Sequence, residues 1–161
     1  WYQYRDFTDS EWVEIVDYFN TLMEKEEYRK LVGWTSMSTE RDEISFNGGE
    51  GGSCETFVLH KHEPEPRYEG DKTYFNFCKT RGLPYDKVVW KMLKFVKLIV
   101  LDPTKADFII SNDNGDEIVS ISGSEDLNPQ RHPFIYGVAK SRYEIAKSKA
   151  INTKHLVEEK E

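Results

Sequence analysis

The chain has 161 residues, of which 38% are hydrophobic and 14% aromatic, and its formal net charge is −7. This length predicts one domain, and the aromatic content argues against a disordered chain because large rings supply the area that a core buries. The acidic balance excludes a general nucleic-acid binder, and no apolar run approaches the ~20 residues of a membrane span. We therefore expect one domain over residues 1–150 and a polar tail over residues 151–161, with no membrane partner.

The first strong pattern is that of a helix. Residues 8–10 are types that cap helix N-termini, and apolar residues then recur at helical spacing as far as Met23. The charged residues 24–27 are expected to break this helix ahead of residues 28–32. Gly33 is the expected stop.

The next segment has the pattern of strands. Residues 43–47 alternate and run into a glycine-rich loop over residues 48–52, which we expect to be flexible and to lead into a strand over residues 54–60. On that strand Glu55 shares a face with two apolar residues, although burying a carboxylate without a partner is costly. These apolar neighbours are Phe57 and Leu59.

A loop over residues 62–71 is indicated by its prolines, glycine and charges. The following residues, 73–78, are predicted to form a further strand. Its alternation places Phe75 and Phe77 on one face.

The longest apolar helix is predicted to begin near Pro84, a favourable first helical residue, and to end at Asp102-Pro103. Its apolar side chains cover one broad face. We interpret the opposite face as solvated, with a partner-binding surface as the alternative. That face carries Trp90 among four lysines, which are Lys87, Lys91, Lys94 and Lys97.

Beyond this helix we expect a strand over residues 105–111, a turn over 112–116, a short strand over 117–122 and a last helix over 134–150. The predicted fold class is α+β. A long central amphipathic helix packs on a mainly antiparallel sheet, with flanking N- and C-terminal helices.

The two cysteines, Cys54 and Cys78, are too few for a disulfide framework and lack the spacing of a metal site. We expect them to be reduced and buried in an intracellular protein. Because Lys79 follows Cys78, a nucleophilic thiolate is an alternative, but no histidine nearby in sequence serves as its base.

The hinge before the long helix contains the best candidate for a binding site. Lys79, Thr80 and Arg81 supply two cations and a hydroxyl, and the helix start is expected to supply free N–H groups, a combination typical of phosphate sites. From Lys79 to Lys97 there are six basic residues and one acidic, a local charge of +5. The spacing is not that of a P-loop. The alternative is a solvated basic loop that caps the helix.

Three further residues are expected to complete a pocket around this hinge. Glu55 is placed to bind ribose hydroxyls or to act as an acid/base, Tyr85 to stack on a base, and Asp86 to serve as a second acid/base. Each residue also has a structural alternative. Glu55 could form an ion pair with Lys79 or Arg81, Tyr85 could be a core residue, and Asp86 could be a carboxylate that stabilises the helix start.

The end of the strand predicted over residues 105–111 and the turn that follows it contribute Ser111, Asn112 and Asp113 to the ligand site. With Asp116 these residues could also bind a divalent cation, but the spacing is not that of an EF-hand, and a tight turn is favoured. A histidine metal site is a weaker alternative, with candidate ligands His60, His62, His132 and His155. We expect neither a metal nor a cofactor.

Four motifs follow one another along the middle of the chain: C-E-T-F at 54–57, F-N-F-C-K-T-R at 75–81, P-Y-D at 84–86 and I-S-N-D-N-G at 110–115. Together they resemble a group of small bacteriophage and bacterial proteins, over residues 44–115. The resemblance implies a phage or bacterial origin, the cytoplasm of a bacterial host cell and a shared site, but no particular reaction. The turn reads S-N-D-N-G where that group has S-S-D-G, which leaves the roles of Asn112 and Asp113 open.

Three functions follow from these observations. The first is binding of an anionic small molecule, a nucleotide or nucleotide-derived signal, with sequestration as one mode of action. The second is an enzyme that acts on a phosphorylated substrate with Glu55 or Asp86 as acid/base. The third is a protein-interaction module that inhibits a host protein, and the aromatic content also leaves a homo-oligomer open.

Overall fold

The computed structural model describes residues 1–38, 42–62, 68–70, 75–100 and 107–111. These residues form an α+β fold of helices and two small antiparallel sheets. In chain order the elements are β1 (Tyr2–Gln3), α1 (Asp9–Glu24), α2 (Glu26–Arg29), β2 (Val32–Ser38), β3 (Glu43–Gly48), β4 (Phe57–His60), α3 (Asp86–Ile99) and β5 (Phe108–Ile109).

Helix α1 begins with a capping box. The Oγ1 of Thr8 accepts a hydrogen bond from the Glu11 N–H, and the Glu11 carboxylate accepts one from the Thr8 N–H, at 3.2 and 2.9 Å. This exchange satisfies two groups that a helix start leaves without intrahelical partners. The helix ends where Lys25 turns to extended backbone angles, which agrees with the predicted break at residues 24–27.

The larger sheet has the order β2-β3-β4, with both pairs antiparallel. Ile44 pairs with Leu59 and Phe46 with Phe57, and all four side chains are buried. The ring of Phe19 on α1 packs on Phe46 with centroids 5.5 Å apart, so this sheet face meets α1.

Strand β2 was not predicted, and the expected helix stop at Gly33 is wrong. Gly33 lies in this strand, where the register with β3 shifts between Val32 and Trp34. A Cβ at Gly33 would lie 2.7 Å from the Gly49 Cα, so the glycine allows the backbones of β2 and the loop after β3 to approach closely.

Helix α3 packs against α1, and the rings of Tyr18 and Phe95 stack with centroids 4.0 Å apart. It begins at Asp86, two residues after the predicted start. The expectation of a fully solvated lysine face is wrong for Lys97, whose exposed fraction is 6%. The buried surface of α3 is broader than one helical face, and in the last turn it includes this residue.

The smaller sheet pairs β1 with β5, and Tyr2 also bridges to Phe75. Among the described residues 75–78, Phe75 forms this isolated bridge and none belongs to a strand. The strand predicted at 73–78 is therefore wrong for its described part. The strand predicted at 54–60 is shorter, since β4 begins at Phe57. Of the strand predicted at 105–111, residues 107–111 are described, and β5 spans Phe108–Ile109 among them.

Arg5 anchors the segment after β1. Its guanidinium donates to both Glu11 carboxylate oxygens at 2.8 Å and, through Nε, to Asp107 at 2.9 Å. One side chain therefore ties the N-terminal segment to the start of α1 and to the residue before β5.

The turn predicted at 112–116, the strand at 117–122, the helix at 134–150 and the tail at 151–161 lie outside the described residues. Among the helices that are described, none combines the length and apolar character needed to cross a membrane.

Candidate functional site

The hinge segment is held by backbone contacts on both sides. On one side the Asn76 N–H donates to the Trp1 carbonyl at 2.8 Å. On the other, the Glu55 carboxylate accepts the Lys79 N–H at 2.8 Å, and the Glu55 N–H donates to the Lys79 carbonyl at 3.2 Å. The structure therefore brings Glu55 to the hinge, as predicted, where its carboxylate bonds the backbone of Lys79.

A tight turn carries Arg81. The Leu83 N–H donates to the Thr80 carbonyl at 3.1 Å, and Arg81 and Gly82 have φ angles of 54° and 67°. Two consecutive positive φ angles define a type I′ turn, which favours Asn-Gly. A left-handed conformation costs a residue with a Cβ roughly 1–2 kcal/mol. Arginine is therefore a strained choice here, and its side chain is exposed.

The start of α3 differs from the expected anion site. The Asp86 N–H donates to the Leu83 carbonyl at 2.9 Å, and the Lys87 and Val88 N–H groups donate to the carbonyls of Pro84 and Tyr85 at 3.3 and 2.9 Å. These N–H groups therefore already have acceptors. In addition, the Asp86 carboxylate accepts the Thr80 hydroxyl at 2.6 Å, which places a negative charge at this helix end.

Tyr85 lies in the core. Its exposed fraction is 0%, and its hydroxyl donates to the Glu55 carbonyl at 2.8 Å. Burial raises the pKa of this hydroxyl to about 12, so it stays protonated and keeps donating. Tyr85 is therefore a core residue, as the structural alternative to a base-stacking role predicted.

The glycine-rich loop, residues 48–52, packs around this helix start. A Cβ at Gly48 would lie 2.8 Å from the Tyr85 Cδ1, and one at Gly51 would lie 2.5 Å from the Pro84 Cγ. Contacts this short exclude a side chain. We expected a flexible loop, and the glycines instead allow a close approach to Pro84 and Tyr85.

A cavity of about 920 Å³ opens beside the hinge. Five residues predicted for the ligand site line it: Lys79, Thr80, Arg81, Asp86 and Ser111. Glu55 and Tyr85 are not part of this lining. Asn112 and Asp113 lie outside the described residues.

Aromatic side chains that were not assigned to the site also line the cavity. They are Trp1, Tyr2, Phe75, Phe77 and Trp90. The i, i+2 spacing of Phe75 and Phe77 was visible in the sequence, but the approach of Trp1 and Tyr2 depends on the bridge between distant segments.

Four of the rings follow one another across the surface, and we call Tyr4, Tyr2, Phe75 and Phe77 the aromatic row. Successive centroids lie 6.1, 5.1 and 5.8 Å apart. The row ends at Lys79, whose Nζ lies 5.7 Å from the Phe77 centroid. This distance is within the range of a cation–π contact.

Trp1 contributes a buried donor. Among the described side chains its Nε1 is the buried polar atom without a hydrogen-bond partner. Leaving such a donor unpaired costs about 1–3 kcal/mol.

Cys78 does not have the properties of a nucleophile. Burial, reinforced by the negative charge of Glu55, raises the pKa of its thiol to about 12. Its Sγ lies 3.5 Å from the Glu55 carbonyl, to which it donates. The thiol is therefore protonated at neutral pH. Cys54 and Cys78 are both only half-buried, so the prediction that they are buried is wrong in degree.

The two described histidines pair with carboxylates. His60 lies 3.6 Å from Glu43, and His62 lies 2.8 Å from Asp6 and 3.4 Å from Asp42. Hydrogen bonding to Asp6 raises the pKa of His62. Within the described ranges, no cluster of three or more His, Cys, Asp or Glu side chains has the arrangement of a metal site.

In comparisons with protein families, with curated proteins and with solved structures, nothing matches this chain.

Proposed function

We propose that this protein binds a phosphorylated small ligand, a nucleotide or nucleotide-derived signal, in the cavity beside the hinge. Lys79 and Arg81 hold the phosphate, and neighbouring rings contact the base. The observation that carries the proposal is the position of two exposed cations, Lys79 and Arg81, beside the exposed rings of Phe75 and Phe77 in the lining of one cavity.

The charges around the cavity support a phosphate near Lys79 and Arg81. Within the described part of the chain, neither cation forms an ion pair with a carboxylate. Asp86, the carboxylate in the lining, accepts the Thr80 hydroxyl. Two unpaired cations in a protein of net charge −7 concentrate positive potential locally, which attracts a small anion without a general affinity for nucleic acid.

The size and lining of the cavity support a ligand with a flat apolar part. A volume of about 920 Å³ falls within the range of roughly 300–1,000 Å³ of small-molecule sites. Such sites combine aromatic walls with a few polar groups that fix orientation, as the rings, Lys79 and Arg81 do here.

Two further parts of the proposal rest on sequence patterns. The motif resemblance supports a phage or bacterial protein that acts in the host cytoplasm, where binding without turnover would sequester a signal. The packing of the long central helix on a mainly antiparallel sheet, with flanking N- and C-terminal helices, also remains a prediction.

Calorimetry against inorganic phosphate, ribose 5-phosphate and a panel of nucleotides tests the proposal. We expect Lys79→Ala or Arg81→Ala to weaken binding at least about 10-fold, because each charge-assisted hydrogen bond contributes roughly 1.5–3 kcal/mol. Lys30→Ala and Arg29→Ala are matched controls, since both residues are exposed and lie outside the cavity lining. Unchanged affinity in both hinge variants, or equal losses in the controls, would refute the proposal.

A protein-interaction module is the second candidate, favoured by the exposure of Phe75 and Phe77 at 37% and 50%. A partner that binds through aromatic contacts would tolerate loss of Lys79 and Arg81. Capture of a host protein that survives those substitutions but fails with Trp90→Ala would support this function over ligand binding.

An enzyme has less support, because Glu55 and Asp86 already accept hydrogen bonds from Lys79 and Thr80. Chemical conversion of a bound ligand, abolished by Glu55→Gln, would establish it.

A further inference from the structure

Asp86 is the acidic side chain that the described residues contribute to the cavity lining, and its two carboxylate oxygens differ. Oδ1 accepts the hydroxyl of Thr80 at 2.6 Å. Oδ2 accepts no hydrogen bond from the described parts of the chain, and Asp86 forms no ion pair with them. The side chain is half-buried. One oxygen is therefore fixed by the fold, whereas the other keeps its capacity to accept a donor.

The negative charge of Asp86 opposes the binding of a phosphate by itself. The carboxylate lies beside the hinge cations, because its partner Thr80 stands between Lys79 and Arg81 in the chain. A ligand that presented only acceptors here would cover a charged oxygen and leave it without a donor, which is costly. A ligand that suits both signs of charge therefore carries a hydrogen-bond donor close to its phosphate.

A carboxylate in the first turn also stabilises a helix, and Asp86 occupies that position in α3. This structural role explains a negative charge at the helix start. It requires neither a place in the lining of a cavity nor an oxygen that is left without a donor.

The order of the groups along the lining matches the order of the parts of a nucleotide. Lys79 and Arg81 precede α3, Asp86 is its first residue, and Trp90 follows four residues later. Residues at this spacing are neighbours on a helix surface, and the helix advances about 6 Å between them. When a phosphate lies at the cations, the sugar attached to it reaches Asp86 and the base lies toward Trp90.

We propose that the ligand is a ribonucleotide and that Asp86 selects it by accepting a hydrogen bond from a ribose hydroxyl at Oδ2. Thr80 is a positioning residue, since its hydroxyl holds Oδ1. Glu55, the residue expected from the sequence to bind ribose, is outside the lining and accepts the Lys79 N–H. This inference rests on the proposed function and specifies its ligand.

Calorimetry with three probes tests the inference: inorganic phosphate, AMP and 2′,3′-dideoxy-AMP. The dideoxy analogue keeps the phosphate and the base but has no ribose hydroxyl to donate to Oδ2. Because hydrogen bonds to charged groups are the stronger ones, we expect AMP to bind at least about 10-fold more tightly than this analogue.

Two substitutions of Asp86 locate the origin of this ratio. Asp86→Ala should lower it to about 1 and strengthen the binding of inorganic phosphate, since a negative charge beside Lys79 and Arg81 is lost. Asp86→Asn keeps an acceptor for the Thr80 hydroxyl and should give an intermediate ratio, because its hydrogen bond to ribose is uncharged. Glu50→Gln is the matched control. It removes one negative charge from an exposed position outside the lining and should leave the ratio unchanged.

Equal affinities for AMP and its dideoxy analogue in the parent, or a ratio that both Asp86 variants preserve, would overturn ribose selection and leave the phosphate site standing. Equal weakening of all three probes in the Asp86 variants would also overturn it, since only a structural role of Asp86 has that effect. If neither inorganic phosphate nor AMP binds, the proposed function and this inference fail together.

Discussion

Two glycine-containing segments adjoin the start of α3, and they differ in packing. In residues 48–52, a Cβ at Gly48 would lie 2.0 Å from the Gly52 carbonyl oxygen. In the hinge, a Cβ at Gly82 would meet no atom within 4 Å, and Arg81 is exposed. The first segment needs glycine because the space is filled, and the second because the backbone turns. This difference indicates that the loop over 48–52 supports the fold, whereas hinge side chains are available for a ligand.

The largest effect should come from Gly48→Ala. The added Cβ collides with backbone at Gly52 and with the buried Tyr85 ring, neither of which can move cheaply, and we expect a loss of about 3 kcal/mol in unfolding free energy. Chemical denaturation measures it. Gly82→Ala is the matched control, and its cost should be only about 1 kcal/mol, from the left-handed φ. Equal losses of unfolding free energy in the two variants would contradict the conclusion that residues 48–52 are packed while the hinge is open.

Tyr85→Phe should have the next largest effect. It keeps the ring in the core but removes the hydroxyl that donates to the Glu55 carbonyl, and we expect a loss of about 1–1.5 kcal/mol. Urea denaturation checks this value. Tyr68→Phe, at an exposed site, should leave stability unchanged. A Tyr85→Phe protein as stable as the parent would show that the hydroxyl contributes nothing to holding the hinge.

Arg81→Asn should have a smaller effect on stability, and of opposite sign. Asparagine tolerates a positive φ and is favoured in a type I′ turn, so we expect a gain of about 0.5–1 kcal/mol together with weaker phosphate binding. Arg81→Lys, which keeps the charge and the strain, should leave stability unchanged. If Arg81→Asn raises stability and keeps the full affinity for the ligand, Arg81 does not contribute to phosphate binding.

The smallest effect concerns the reactivity of Cys78. We expect the alkylation rate of its thiol to depend on pH, with no change in the fold. Because burial raises the pKa of this thiol to about 12, alkylation by iodoacetamide in a Cys54→Ser background should be slow at neutral pH. Its rate should rise about tenfold per pH unit between pH 7 and 10, as the thiolate fraction increases. A plateau below pH 9 would reveal an ordinary thiolate and reopen the nucleophile interpretation.

The helices were largely predictable because their signals are local. The capping residues Thr8 and Glu11 are three positions apart, and the apolar periodicities of α1 and α3 are contained in each helix. Strand β2 was missed because a strand is stabilised by its partners, and residues 32–38 become a strand by pairing with β3.

The candidate site was predicted in part. The sequence placed Lys79, Thr80 and Arg81 together and ahead of a helix, and these residues line one cavity with Asp86 and Ser111. It did not reveal that the first-turn N–H groups already have acceptors, because those acceptors belong to the particular turn that precedes α3.

The sequence by itself determined the α+β class, the two long helices, and a hinge with two cations beside alternating phenylalanines. Each of these depends on residues within a few positions of one another, where backbone geometry fixes which side chains are neighbours. Only the tertiary structure decided that Tyr85 is core, that Glu55 holds the hinge backbone, and that Tyr2 and Phe75 join in one aromatic row. These contacts unite distant parts of the chain, and they form only when folding has brought β1, β4 and the hinge together.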